Sequence, residues 1–155
     1  ILWLIGDVKN VRAITKNISH PYTEFEDTGV ALLEFKNGAI GTINFTTTAY
    51  QKNIEGSVFI LGTKGSVKIG GQYINTLDFW DVQGLKKPKM AQSAPANNYG
   101  FYKGSMSNHD KVIQNVVNVL RGEEKIKTTA QDGLKTVQLI RAIYKSANTN
   151  KVITI

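Results

Sequence analysis

Residues 33–45 read LEFKNGAIGTINF, two β-rich runs on either side of Asn37-Gly38. An Asn-Gly pair in this setting is a strong hairpin signal, because a two-residue type I′ turn needs positive φ at both positions. Placing Lys36 opposite Ala39 sets a register. In that register Val30, Leu32 and Glu34 share a face with Gly41, Ile43 and Phe45. Ala31, Leu33 and Phe35 share the other with Ile40, Thr42 and Asn44. A hairpin with one solvated face should be polar on that face. This one carries apolar residues on both, so the second face requires a partner.

The rest of the chain sets the bounds. Its 155 residues are enough for a core without staples. Hydrophobic residues make up 41% and charged residues 20%, ordinary for a globular protein. There is no cysteine, which excludes disulfides and thiolate metal sites, and the two histidines, His20 and His109, do not furnish a His-based metal centre. The net charge of +7 suits an anionic partner and equally a basic, well-solvated surface. The opening ILWLIGD is too short to span a membrane and lacks the basic region of a signal peptide. It reads as the end of a helix stopped at Gly6, as if the chain were part of a longer protein.

Along the chain the pattern is strands first, helices after. Val8–Ser19, Thr28–Phe35, Ala39–Thr48, Ile54–Leu61, Ser66–Ile69 and Tyr73–Val82 read as extended segments. Residues 83–105 form a long loop rich in Gln, Gly, Lys, Pro, Ser, Ala and Asn. Ser107, with Asp110 three residues on, predicts a helix start; Val112, Ile113, Val116, Val119 and Leu120 follow at helical spacing, and Gly122 ends the run. Thr129 and Asp132 repeat the cap. Leu134, Val137, Ile140 and Tyr144 then make one stripe, widened by Leu139, Ile143 and Ala147. Residues 151–155 close as a short strand. No repeat or linker divides the chain, and one domain is expected. The fold class is α+β: an open, mostly antiparallel sheet with helices on one face and the other face available for association.

Chemical motifs are sparse. There is no GxGxxG after a strand, no phosphate-binding Walker loop and no HExxH. Gly62-Thr63-Lys64-Gly65 has the form of a nucleotide-clamping GxxG loop, but it joins two strands rather than two helices, which makes it a hairpin turn. Glu26 and Asp27 would point to opposite faces if extended, and read as turn or strand-edge residues. His109 falls in the first turn of a helix, where unpaired N–H groups and the dipole favour anions. With Asn108, Ser105, Ser107 and Lys103 nearby, YKGSMSNH is a candidate anion or polyol site, or simply a capping turn with an exposed histidine. Tyr50, after Thr46-Thr47-Thr48, is an interface anchor, a ligand contact or an edge residue. Lys86-Lys87-Pro88-Lys89 with Tyr99, Phe101 and Tyr102 keeps a second class open, a single-stranded nucleic-acid module. A pure interaction domain is a third.

Taken in order, ILWLIGDVKNVRA, EDTGVALLEFKNGAIGTINFTTTAY, FILGTKGSVKI, NHDKVIQNVVNVLRGE and DGLKTVQLIRAIYKSANTNKVITI resemble the C-terminal domain of the Gfo/Idh/MocA oxidoreductases over nearly the whole chain. In that family an N-terminal Rossmann domain binds NAD or NADP, and the open sheet commonly packs against another subunit. The resemblance thus implies a homo-oligomer through the open sheet face, a small sugar or polyol substrate, no membrane, no nucleic acid, and a cytoplasmic enzyme. The family's Glu-Lys-Pro motif has no counterpart in these residues, nor has its catalytic His/Asp pair. The chain alone is therefore expected to bind no NAD, to hold no metal and to be inactive. TTTAY and the NH that opens a helix look most like dehydrogenases of UDP-linked N-acetylated sugar acids. On that basis Asn108, His109, Tyr50 and Lys103 are the expected substrate-binding residues.

Overall fold

The structure is a computed structural model describing residues 1–90, 97–100, 104 and 108–155. A single helical turn, α1 (Leu2–Ile5), stops at Gly6, whose φ of 115° is open to glycine and strained for other residues. Strands β1 (Val8–Lys16), β2 (Thr28–Phe35), β3 (Ile40–Thr46), β4 (Val58–Gly62), β5 (Gly65–Gly70) and β6 (Thr76–Val82) follow. Helices α2 (His109–Leu120) and α3 (Ala130–Thr149) and the short strand β7 (Ile153–Thr154) complete the order. These strands are antiparallel in two open sheets, one in each of two compact units, Ile1–Ala49 with Lys127–Ile155 and Tyr50–Ile126.

In the first unit the strand order is β3-β2-β1-β7. The β2–β3 hairpin forms where Asn37-Gly38 predicts it, but one residue out of the expected register. Leu33 faces Gly41 and Ala31 faces Ile43. The Phe35 N–H donates to Ala39 O at 2.8 Å and the Gly38 N–H to Phe35 O at 3.0 Å, giving a three-residue loop. Gly38 has φ 87°, whereas Asn37 is not among the residues with positive φ, so the turn is not type I′. It is a turn closed by a left-handed glycine, the other common hairpin solution. A one-residue slip exchanges faces along a whole strand. Ala31, Leu33 and Phe35 therefore share their face with Gly41, Ile43 and Phe45, and Ile40 lies on the opposite side.

That first face is the core. Val8, Val11, Ala13, Ala31, Leu33 and Phe35 are buried together with Leu139 and Ala142 of α3, and Ile43, Ile143 and Ala147 pack around them. Thr129 and Asp132 cap α3 as expected: Thr129 Oγ1 accepts from the Asp132 N–H, and Asp132 Oδ2 accepts from the Thr129 N–H at 2.8 Å. The part of the expected stripe that packs is its widening set, Leu139, Ile143 and Ala147, and not its first row. Leu134, Val137, Ile140 and Tyr144 are 40–54% exposed, while Leu139, Ala142, Ile143, Ser146 and Ala147 face inward. A polar residue decides this. β1 pairs with β7 only at Asn10 and Val11, and beyond them the Ala13 N–H donates to the fully buried Ser146 Oγ at 2.9 Å. Ser146 in turn donates to Lys151 O, so both its roles are filled and the helix is fixed in rotation.

The opposite face of the sheet stays open. It carries Ile14, Val30, Leu32 and Ile40, between 48% and 80% exposed, among Arg12, Glu34, Thr42 and Asn44. In the expected register the face that meets a second chain is that of Ala31, Leu33, Phe35, Ile40 and Thr42, or the opposite one with Val30, Leu32, Ile43 and Phe45. The slipped register replaces both sets, because Ala31, Leu33 and Phe35 are consumed by the core.

In the second unit β4, β5 and β6 form a meander. Gly62 pairs with Gly65, so Gly62-Thr63-Lys64-Gly65 is the hairpin turn that its context implied. Gly65 has no room for a side chain, since an added Cβ would lie 2.7 Å from Asp81 O. α2 starts at His109 with Asn108 as its N-cap, one residue later than the expected cap at Ser107, which lies outside the described residues. Gly122 follows the helix with φ 75°, as its place predicted. The apolar stripe of α2 remains solvent-facing: Val112, Ile113, Val116 and Leu120 are 43–82% exposed. Its buried residue is Asn115, whose Nδ2 donates to Glu124 Oε2 at 2.7 Å and Lys125 O at 3.1 Å.

Candidate functional site

The expected substrate residues fall in the second unit, and three of the four are described. Asn108 and His109 stand at the start of α2, both exposed. Asn108 caps no backbone N–H of the first turn; its Oδ1 accepts from Lys111 Nζ at 2.9 Å instead. That leaves the first-turn N–H groups without a side-chain cap from Asn108, and brings an ammonium to the same end of the helix. Together they form a donor-rich surface suited to hydroxyl or carboxylate oxygens. Asp110 in the same turn opposes a highly charged anion. Tyr50 is 87% exposed and lies beyond β3, which ends at Thr46 rather than running on to Thr48. Its carbonyl accepts from the Lys52 N–H at 2.7 Å across Gln51, which has φ 59°, so the segment is a tight turn and not a strand end. Lys103 lies outside the described residues, as do Ser105, Phe101 and Tyr102.

Two other cations of this unit, Lys68 and Lys87, have defined partners. Lys68 lies 2.7 Å from Glu55 and 3.8 Å from Asp78. The Glu55 hydrogen bond raises the Lys68 ammonium above its ordinary range, and the same bond lowers Glu55. Lys87 of the Lys-Lys-Pro-Lys cluster donates to Leu77 O at 3.0 Å.

The first unit contains a polar centre that spacing did not reveal. Asp27, read as a turn residue, does sit immediately before β2, but it is only 3% exposed. Its carboxylate accepts from the N–H groups of Ile18, Ser19 and His20 at 2.7–3.2 Å, and lies 3.0 Å from His20 Nδ1. Burial alone would push the carboxyl up. Hydrogen bonds from the Ser19 and Ile18 backbone and from the His20 and Thr28 side chains outweigh it and hold Asp27 well below the carboxylate range. An ionised carboxylate only accepts, so His20 Nδ1 carries the hydrogen. Asn17 locks the same loop through His20 O and Thr23 O, and Tyr144 of α3 reaches it through Glu26 at 2.7 Å. The sequence signal was present in Asn17, His20, Thr23 and Asp27, turn-forming types crowded between two β-runs. A separate groove of about 470 Å³ is lined by Trp3, Asp7, Ile43, Lys135 and Leu139, among others. The Asp7–Lys135 pair in it, 2.9 Å apart, is self-neutralised.

Among the described residues neither the α2 nor the α3 start has the form of a dinucleotide site. A pyrophosphate site needs a glycine-rich turn from strand into helix with free N–H groups. The α3 start is closed by its own capping box and its Asp132 carboxylate, and α2 has Asp110 in its first turn. Among the described residues no group of three or more His, Asp or Glu gathers to hold a metal, and no helix is long and apolar enough to cross a membrane.

Residues 1–155 match the family described as "Oxidoreductase family, C-terminal alpha/beta domain". Among solved structures, the chain is 36% identical to the WlbA dehydrogenase of Bordetella pertussis in complex with NADH and UDP-GlcNAcA. That match covers 99% of this chain and 40% of the other, with a TM-score of 0.79. The WlbA dehydrogenase of Chromobacterium violaceum, also with NADH and UDP-GlcNAcA, is 32% identical over 100% of this chain and 42% of the other, with a TM-score of 0.79. Levoglucosan dehydrogenase in complex with NADH and L-sorbose shares the fold at 17% identity and a TM-score of 0.69, over 99% of this chain and 46% of the other. The chain thus spans about two fifths of the length of the WlbA dehydrogenases it matches. No curated protein sequence matches it.

Proposed function

Because the chain belongs to the Gfo/Idh/MocA oxidoreductase family, as its C-terminal alpha/beta domain, we propose that it is the substrate-binding and self-associating half of an NAD(P)-dependent dehydrogenase. The substrate is a sugar or polyol, with a UDP-linked N-acetylated sugar acid the best match. The observation that carries this reading is identity of 36% and 32%, over essentially the whole chain, to two dehydrogenases solved with NADH and UDP-GlcNAcA. The reaction class is oxidation of a secondary ring hydroxyl to a ketone. The dinucleotide is assigned to a further domain of a longer protein, a reading supported by the closed or acidic helix starts among the described residues.

This chain's part is to bind and orient. Asn108 spends its Oδ1 on Lys111, which leaves Nδ2 to donate to a hydroxyl. His109 can donate or accept toward a neighbouring oxygen, and Lys103 and Tyr50 supply a cation and a flat apolar surface. The test uses the full-length protein, with NADH formation followed from UDP-GlcNAcA and NAD. Turnover dependent on both is expected; none with any nucleotide sugar acid overturns the substrate assignment. His109→Ala is expected to lower kcat/KM by about tenfold to a hundredfold, the loss of one hydrogen bond that bound substrate would bury, worth about 1–3 kcal/mol. It should leave the melting temperature within about 1 °C, since exposed positions carry little stability. Unchanged kinetics would leave His109 an exposed residue at the helix start with no part in binding.

Self-association is assigned to the open face of the four-stranded sheet. Support comes from its exposed row Ile14, Val30, Leu32 and Ile40, since contiguous apolar surface of this kind marks interfaces. Leu32→Lys should weaken association at least about tenfold in sedimentation while leaving the circular dichroism spectrum intact, because an unpaired charge at an apolar contact costs more than 1.4 kcal/mol, about one decade. A parent chain that stays monomeric at high micromolar concentration argues against the interface.

A further inference from the structure

The chain contains one Asn-Gly pair, Asn37-Gly38, and the structure shows what its side chain does. Asn37 Nδ2 donates to Ile5 O, the end of α1, at 2.8 Å. Its Oδ1 accepts from the Ala39 N–H at 3.0 Å. The Gly38 N–H is committed to Phe35 O at 3.0 Å, and the Lys36 N–H to Asp7 O at 2.9 Å. The turn is thereby tied to the α1–β1 junction by one side chain and one backbone group. We propose that Asn37 is a gated deamidation site, closed while this turn holds and reactive when it opens, and that its conversion to a carboxylate severs the turn from the end of α1.

The chemistry needs only water. The Gly38 amide nitrogen gives up its proton to solvent and attacks Cγ of Asn37. The Cγ–Nδ2 bond breaks as the nitrogen takes a proton from solvent and leaves as ammonia, and a five-membered succinimide closes. Water then opens the ring at either carbonyl, leaving aspartate or isoaspartate. Glycine at position 38 favours the attack because no side chain obstructs it. The fold opposes it twice. The attacking N–H must first leave Phe35 O, and the carboxamide must first leave both Ile5 O and the Ala39 N–H. Asn37 and Gly38 are themselves exposed, at a turn of the class that opens locally without global unfolding.

The consequence follows from donor and acceptor roles. A carboxylate has no hydrogen to offer. After conversion two acceptors face each other where Nδ2 met Ile5 O, and the contact cannot persist. As at any helix C-terminus, the last carbonyls of α1 have no intrahelical partner and depend on outside groups of this kind. The tie from Lys36 to Asp7 remains, and the change is a loosening of the junction rather than its detachment.

The experiment incubates the chain at mildly alkaline pH, folded in buffer and unfolded in guanidinium chloride, and follows the amide-to-acid mass change in the peptide spanning Asn37. Reaction at least about tenfold slower in the folded chain is expected, the factor that corresponds to a closed turn favoured by about 1.4 kcal/mol. Equal rates overturn the gate. Hydrogen exchange of Asn37→Asp against the parent reads the second half, with the Ile5 and Gly6 amides expected to exchange several-fold faster. Unchanged exchange overturns the release. If the variant folds poorly, the same comparison is made on a partly deamidated parent sample, where both forms coexist.

Discussion

Leu33→Ala is expected to lower the free energy of unfolding by about 3–4 kcal/mol, within the range for removing a buried leucine and leaving its cavity. Leu33 has no solvent exposure and belongs to the cluster that joins β1 and β2 to α3. Its cross-strand neighbours are Val11 on one side and Gly41 on the other. Gly41 has nothing to extend into the space, and the Phe35 ring already lies 3.4 Å from where a Cβ there would be. The surroundings can collapse little, so the cavity term adds to the transfer term. Leu32, one residue away and 55% exposed, is the internal control. Leu32→Ala should cost less than about 1 kcal/mol, since only half-exposed apolar area is lost. Urea unfolding followed by circular dichroism measures both. Equal costs at the two positions would contradict the alternation that the register imposes.

Asp27→Asn is expected to lower the melting temperature by roughly 5–10 °C, on the scale set by losing several charge-assisted hydrogen bonds at once. An asparagine would place an NH2 group among backbone N–H donors from residues 18–20, and donor would face donor. The pH dependence has a definite sign. The folded carboxyl is depressed below its unfolded value, so the stability it provides is fully present above the unfolded value of about 3.9 and is lost as pH falls below it toward the folded one. The parent should therefore lose stability on acidification through that window, while the variant lacks this contribution. Melting curves of the two as a function of pH should converge in acid. Parallel curves would show that Asp27 is not the group that titrates.

Much of this was legible in the residues. Thr129 and Asp132 announced the start of α3 because a capping box is local chemistry, complete within four residues. Gly122 announced the end of α2 for the same reason. The period-two pattern of Thr28–Phe35 marked β2, and its odd positions did prove to be one face. The order of strands and helices, with the resemblance carried by its five stretches, pointed to the family that the whole-chain match shows. What stayed illegible in the candidate site has a plain cause. Asn108 and His109 were recognisable as a helix start, but the partner of the Asn108 side chain, Lys111, depends on a rotamer and not on spacing.

The tertiary structure decided the rest, wherever two local solutions were nearly equal. Asn-Gly serves a two-residue and a three-residue hairpin loop alike, and the two differ by a slip that reverses a face. The second is realised where Phe35 meets the core and Asn37 and Lys36 bond Ile5 and Asp7, partners about thirty residues away in sequence. α3 offered a broad apolar stripe, and the side with Leu139, Ile143 and Ala147 was taken because buried Ser146 satisfies the Ala13 N–H beyond the two residues of β1 that pair with β7. Asp27 looked like any turn carboxylate until the loop folded three N–H groups onto it. Local sequence determines capping and periodicity, because those interactions close within a turn or two. Register, helix rotation and the burial of a charge depend on hydrogen-bond partners that only the folded chain brings together.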